Sequence, residues 1–135
     1  DACAMNLIRQ PEQFDVIVTT NLFGDILSDE SSQVVGGLGM APAANIGDNF
    51  ALFEPVHGAA FDIAGKNIAN PSSFLLSIKM MLDWLGAKHN DPKCFEVAVK
   101  LESTIFDLVK SGIKTKDIGG DSTTSEFTKQ ITDNL

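Results

Sequence analysis

The stretch FDVIVTTNLFGDILSDE, residues 14–30, changes character in its middle. Its first half carries the β-branched run Val16-Ile17-Val18, which predicts a short buried strand over 14–20. Its second half predicts a helix from 22 to about 35, with Asn21 as N-cap and the Gly36-Gly37 pair as its stop. A strand that feeds a helix points to the α/β class. At about 100° per residue, Leu22, Ile26, Leu27 and Val34 share one apolar arc, and Glu30 falls inside it. Asp25 and Asp29 fall together at the edge of that arc, one turn apart. Like charges at this spacing lie about 5–6 Å apart at Cβ and destabilise an isolated helix. Two readings are open. One is a solvated face, with Asp25 gaining from the helix N-terminus. The other is an oxygen-ligand site for a hard cation such as Mg²⁺, which turns the repulsion into attraction.

Outward from this stretch, residues 2–9 predict a helix that ends before Pro11. Residues 36–50 are rich in Gly, Ala, Pro and Asn and read as loop with short extended pieces, a candidate crossing between two domains. Residues 51–54 predict a strand. Residues 55–71 form a long irregular segment, too rich in Ala, Ile, Val and Phe for disorder and therefore read as functional. Residues 72–87 are apolar nearly all round and predict a buried helix with Gly86 at its C-terminal end. Two more helices are expected over 94–112, stopped by Gly112, and over 123–134, capped by Ser125 or Thr124.

The irregular segment holds His57, Asp62 and Asn70 among Gly and Ala. Turn chemistry explains Asp and Asn there. A nucleotide pocket explains them too: His and Asn for the base, Asp for ribose hydroxyls, backbone N–H groups for phosphates. No G-x-G-x-x-G follows a strand, so the Rossmann fingerprint is absent.

The bulk numbers set limits. With 135 residues and 44% hydrophobic content, the chain suffices for one packed domain or parts of two. A net charge of −8 speaks against nucleic acid and anionic membrane surfaces as partners. No apolar run is long enough to span a membrane. Cys3 and Cys94 match no zinc-site spacing and read as small buried hydrophobes in a reducing, cytoplasmic setting. The absence of an initiator Met and of any Tyr leads us to expect a piece of a longer protein.

Four stretches in order carry a resemblance: DACAM at 1–5, FDVIVTTNLFGDILSDE at 14–30, EPVHGAAFDIAGKNIANP at 54–71 and KTKDIGGDSTTSEFTKQI at 114–131. Together they resemble the β-decarboxylating dehydrogenases, the family of 3-isopropylmalate, isocitrate, homoisocitrate and tartrate dehydrogenases. The resemblance implies an isopropylmalate/isocitrate dehydrogenase-like α/β fold, present here as its C-terminal portion. It implies that residues 1–35 belong to the small dimerisation and metal-site domain and residues 36–135 to the large NAD-binding domain. It places Mg²⁺ or Mn²⁺ on Asp1, Asp25 and Asp29, with Asp1 serving metal and substrate in the partner subunit of a homodimer. It places NAD on the loop 57–70: His57 and Asn70 at the adenine, Asp62 at the adenine ribose, and Gly58, Ala59 and Ile63 beside them. A carboxylate at Asp62 repels a 2′-phosphate, so NAD is expected over NADP.

The implied reaction is metal-assisted oxidation and decarboxylation of a small-molecule 2-hydroxy diacid with hydride transfer to NAD. The best match is 3-isopropylmalate, hence leucine biosynthesis, with isocitrate or homoisocitrate as the alternative. The family's catalytic Tyr and Lys and its substrate arginines lie upstream, so no catalytic residue is assigned here and the chain alone is expected to be inactive. Ala59-Ala60-Phe61 replaces the Ser-Ala-Pro of many relatives, which looks more like archaeal 3-isopropylmalate dehydrogenases. The rival to an enzyme is a dimerising acidic α/β module, and divalent-cation binding separates the two.

Overall fold

The computed structural model describes residues 1–135. Five helices and one hairpin follow in the order α1 (Ala2–Arg9), α2 (Asn21–Val34), β1 (Pro42–Ile46), β2 (Ala51–Pro55), α3 (Ser72–His89), α4 (Pro92–Lys110) and α5 (Thr124–Asn134), with short 3₁₀ turns at Pro11–Gln13, Phe61–Ile63 and Lys116–Ile118. The architecture is α/β with helices dominant. α1 packs on α2, the hairpin on α3, α3 on α4, and α4 on α5.

The core lies between the last three helices. Ala98, Leu101, Ile105 and Leu108 of α4 are buried at the spacing of one helix face. Leu101, Ile105 and Leu108 cluster with Leu76 of α3, Phe127 and Ile131 of α5, and Met40 from the crossing segment. Gly86 is buried inside α3, and a Cβ there would stand 3.0 Å from the Phe95 ring and 3.1 Å from Cys94 Cβ of α4. It lies in the last turn of α3, near the C-terminal end where the sequence reading put it, and sets the approach of two helices. The left-handed residue that ends α3 is Asn90, at φ 54°. α3 is also less covered than its composition suggests. Ser72, Ser73, Leu76, Ser77 and Gly86 are buried, while Phe74 is exposed.

The hairpin pairs Pro42 with Pro55 through Ile46 with Ala51, antiparallel. Serines of α3 satisfy its outer carbonyls. Ser73 Oγ donates to Ala41 O at 2.5 Å and Ser77 Oγ to Glu54 O at 2.8 Å. At the far end Lys88 Nζ donates to Asn49 O at 2.6 Å while lying 4.3 Å from the Trp84 ring centroid.

Three expectations need correction. Residues 14–20 bend at Asp15 and form no strand, because the only sheet is the hairpin and no neighbouring backbone completes a ladder with them. Val16 and Val18 are 78% and 92% exposed. The arc of α2 is likewise uncovered: Leu22, Ile26 and Val34 are exposed, Leu27 and Glu30 half-buried, and Ser32 alone is buried. The cysteines are free but half-buried, and partial desolvation with the Asp91 carboxylate pushes the Cys94 thiol pKa up.

Helix caps shift by a residue or two. α2 starts at Asn21, so Thr20 is its N-cap and makes no side-chain cap bond. α4 begins at Pro92 with Asp91 as cap, its carboxylate accepting from Lys93 N. α5 is capped by Thr123 in a capping box: Thr123 Oγ1 accepts from Glu126 N, and Glu126 Oε2 accepts from Thr123 N at 2.9 Å. The Thr123 backbone N–H, then its hydroxyl, hold the Glu126 carboxyl below the usual carboxylate range. A depressed folded-state pKa contributes stability that is present above the unfolded value, about 4.3, and lost as pH falls through the folded value. Urea midpoints of wild type and Glu126→Gln are therefore expected to differ at pH 7 and to converge below about pH 4. A gap that persists in acid counts against the box.

Candidate functional site

The irregular segment after β2 lines an open cavity of about 710 Å³. Ile63 ends the 3₁₀ turn, Ala64 follows it, and Asn67 takes a left-handed backbone at φ 55° before α3 begins. His57, Gly58, Ala59, Ile63 and Asn70 line the cavity, as the sequence reading grouped them, and Asp62 does not. Asp62 sits exposed on the 3₁₀ turn beside it. Gly39, Asn67, Asp117 and Thr124 form the rest of the polar wall, and the sequence reading gave them no part in the site.

The polar groups of this wall are held by one another. A His57 ring protonated at Nδ1 donates to Gly58 O at 3.0 Å, which leaves Nε2 as an acceptor. Asn70 Oδ1 accepts from Ser72 N at 3.0 Å, where α3 lacks helical partners. Asn70 Nδ2 donates to Asp117 Oδ2 at 3.0 Å, and Thr115 Oγ1 donates to Asp117 Oδ1. Gly39 permits this junction, since a Cβ there would lie 2.8 Å from Asp117 Oδ2 and 3.0 Å from Asn70 Cβ. An open, largely apolar cleft with a few fixed polar groups suits a planar heterocycle with polar edges. The residues present thus fit the adenosine half of a dinucleotide.

The second candidate region is the edge of α2. Asp25 and Asp29 are both exposed, and neither forms an ion pair. Asn21 Nδ2 donates to Asp25 Oδ2 at 3.3 Å. Two unpaired carboxylates on adjacent turns are hard oxygen donors that fit Mg²⁺ or Mn²⁺. Asp1 is not brought to them. It caps α1, and no three His, Cys, Asp or Glu side chains in the chain gather in a metal-binding group.

A family model described as isocitrate/isopropylmalate dehydrogenase matches residues 1–134. The chain belongs to the isocitrate/isopropylmalate dehydrogenase family. Two relatives lie at equal distance: a 3-isopropylmalate dehydrogenase of Sulfurisphaera tokodaii and an isocitrate/homoisocitrate dehydrogenase of Thermus thermophilus, each 54% identical over 100% of this chain. The chain spans 40% of the first relative and 38% of the second. The crystal structure of an isocitrate dehydrogenase from Methylococcus capsulatus superposes with a TM-score of 0.88 at 43% identity, over 99% of this chain and 38% of that one. Within the isocitrate/isopropylmalate dehydrogenase family, the order of motifs read from the sequence is thus the order of a known fold. The two-stranded hairpin and five helices are the part of that fold that this chain carries.

Proposed function

We propose that this chain is the C-terminal part of a metal- and NAD-dependent dehydrogenase that oxidises and decarboxylates a 2-hydroxy diacid, with 3-isopropylmalate as first choice. The observation that carries the cofactor half is the cavity lined by His57, Gly58, Ala59, Ile63 and Asn70. His57 and Asn70 face the adenine, and Asp62 stands at the rim for the ribose hydroxyls. Asp25 and Asp29 offer the hard oxygens for Mg²⁺ or Mn²⁺, and Asp1 completes that set in the partner subunit of a homodimer. When bound, the ion supplies Lewis-acid polarisation of the substrate oxygens. Residues 1–35 belong to the dimer-forming domain and 36–135 to the NAD-holding domain, in a cytoplasmic enzyme.

Isocitrate or homoisocitrate is the second reading, favoured by the equal identity to relatives of both names. Turnover of the full-length protein with isopropylmalate, isocitrate and homoisocitrate, with Mn²⁺ and NAD, decides among them. The 135-residue chain alone is expected to turn over none of the three. Activity with no 2-hydroxy diacid under any of these conditions would sink the proposal.

Cofactor choice gives a separate prediction. A fixed carboxylate repels a 2′-phosphate and accepts from ribose hydroxyls. The full-length protein is expected to use NAD at least about a hundredfold better than NADP, and Asp62→Lys to reduce that ratio at least about tenfold. Equal kcat/KM for the two cofactors in wild type would remove Asp62 from the site.

A further inference from the structure

We propose that Asn67 is a positioning residue for the dinucleotide, tying the loop 57–70 to the first turn of α5 so that the cavity is formed before the cofactor arrives. The proposal rests on the cofactor reading of the cavity. Both Asn67 and Thr124 line the cavity, so the tie is part of its wall.

Four hydrogen bonds join the two segments. Asn67 O accepts from Thr124 N at 3.0 Å, and Asn67 Oδ1 accepts from Ser125 N at 3.1 Å and from Ser125 Oγ at 2.8 Å. Two residues on, Ala69 O accepts from Thr124 Oγ1 at 2.5 Å. The N–H groups of Thr124 and Ser125 are among those that an α-helix leaves without internal partners. Thr123 caps α5 through Glu126, so Asn67 acts as a second cap supplied from the loop.

The backbone of Asn67 makes the same point. Its φ of 55° lies in the left-handed region, where glycine is free of strain and asparagine is tolerated. Glycine satisfies the turn but offers no acceptor to Ser125. Asparagine accepts some backbone cost and supplies the carboxamide oxygen. No helix or strand fixes residues 64–70, and Asn70 is held separately by Asp117 and Ser72 N, so loss of the tie loosens the part of the wall around Asn67, between the 3₁₀ turn and Asn70. Binding then includes the cost of ordering it.

The test compares Asn67→Gly with Asn67→Asp in the full-length protein. Glycine keeps the turn and loses the side-chain acceptor. Aspartate keeps an acceptor and adds a charge that the α5 N-terminus favours. Expected are a rise in KM for NAD of about tenfold in Asn67→Gly with kcat within about twofold, and a KM within about threefold of wild type in Asn67→Asp. Amide exchange over residues 57–70 without NAD is expected to quicken in Asn67→Gly and not in Asn67→Asp. An unchanged KM in Asn67→Gly, or equal losses in both variants, overturns the proposal. If wild type does not saturate with NAD, the cofactor reading falls and the role toward a dinucleotide falls with it. Exchange still reports the tie itself, and unchanged exchange in Asn67→Gly overturns that.

Discussion

Asp25→Asn in the full-length protein is expected to cut Mn²⁺ affinity at least about a hundredfold and dehydrogenase activity with it. Asp25 and Asp29 stand one helical turn apart, exposed, without a lysine, arginine or histidine partner. In the metal-free protein this is a net repulsion of about 0.2–0.5 kcal/mol. Removing one charge therefore leaves the metal-free fold as stable as before, or slightly more so. That sign separates a ligand from a structural carboxylate. The melting temperature without metal holds or rises a little, while the rise produced by Mn²⁺ in wild type disappears. Asparagine keeps the shape and an oxygen, so the loss reads charge. Calorimetric titration with Mn²⁺ gives the affinity directly. Unaltered Mn²⁺ binding in both Asp25→Asn and Asp29→Asn would take the metal off α2 altogether.

The largest loss of stability is expected at Gly120. Lys114 to Ser122 form a tight reversal in which Gly120 N donates to Thr115 O at 2.9 Å and Ser122 N to Lys114 O at 3.0 Å. Thr115 and Ser122 pair in an isolated parallel bridge, and Thr115 is fully buried. A Cβ on Gly120 would overlap the carbonyl group of Lys114. Its obstacle is backbone, which cannot swing aside as a side-chain tip can. Gly120→Ala must therefore break the reversal, and with it the turn that places Asp117 in the cavity wall. A loss of about 3 kcal/mol or more in denaturant unfolding is expected. Gly112→Ala serves as comparison. Its Cβ meets nothing within 4 Å, so the cost there is limited to the left-handed backbone at φ 94°, about 1 kcal/mol. Equal losses at the two positions would show that crowding at Gly120 is not the cause.

The local elements were legible because their signals are local. β-branched and apolar spacing located α4, and the two strong stops at Gly36-Gly37 and Gly112 were read correctly. The cap of α5 was legible as well, since Thr123 and Glu126 carry the T-x-x-E spacing that the choice of Thr124 or Ser125 passed over. The strand over 14–20 failed for a different reason. β-propensity records the fitness of a segment for a ladder, and a ladder needs a second strand that propensity cannot supply. Gly86 was placed near the right helix end, but its packing role was not legible because its neighbours Phe95 and Cys94 belong to another helix. The cavity was half legible. The contiguous loop 57–70 announced itself by length and composition, whereas Gly39, Asp117 and Thr124 come to it from elements distant in the chain.

The three helices of the core are consecutive, and α3 meets α4 across a two-residue turn, so their contacts close over short spans of chain. The cavity wall does not. Asn70 reaches Asp117 across 47 residues, and Asn67 reaches Ser125 across 58. The α3–α4 pair can form early, but the loop 57–70 acquires its fixed edge only when Asp117 and α5 have joined. As a chain emerges N-terminus first, the cavity beside this loop is thus one of the last features to be completed.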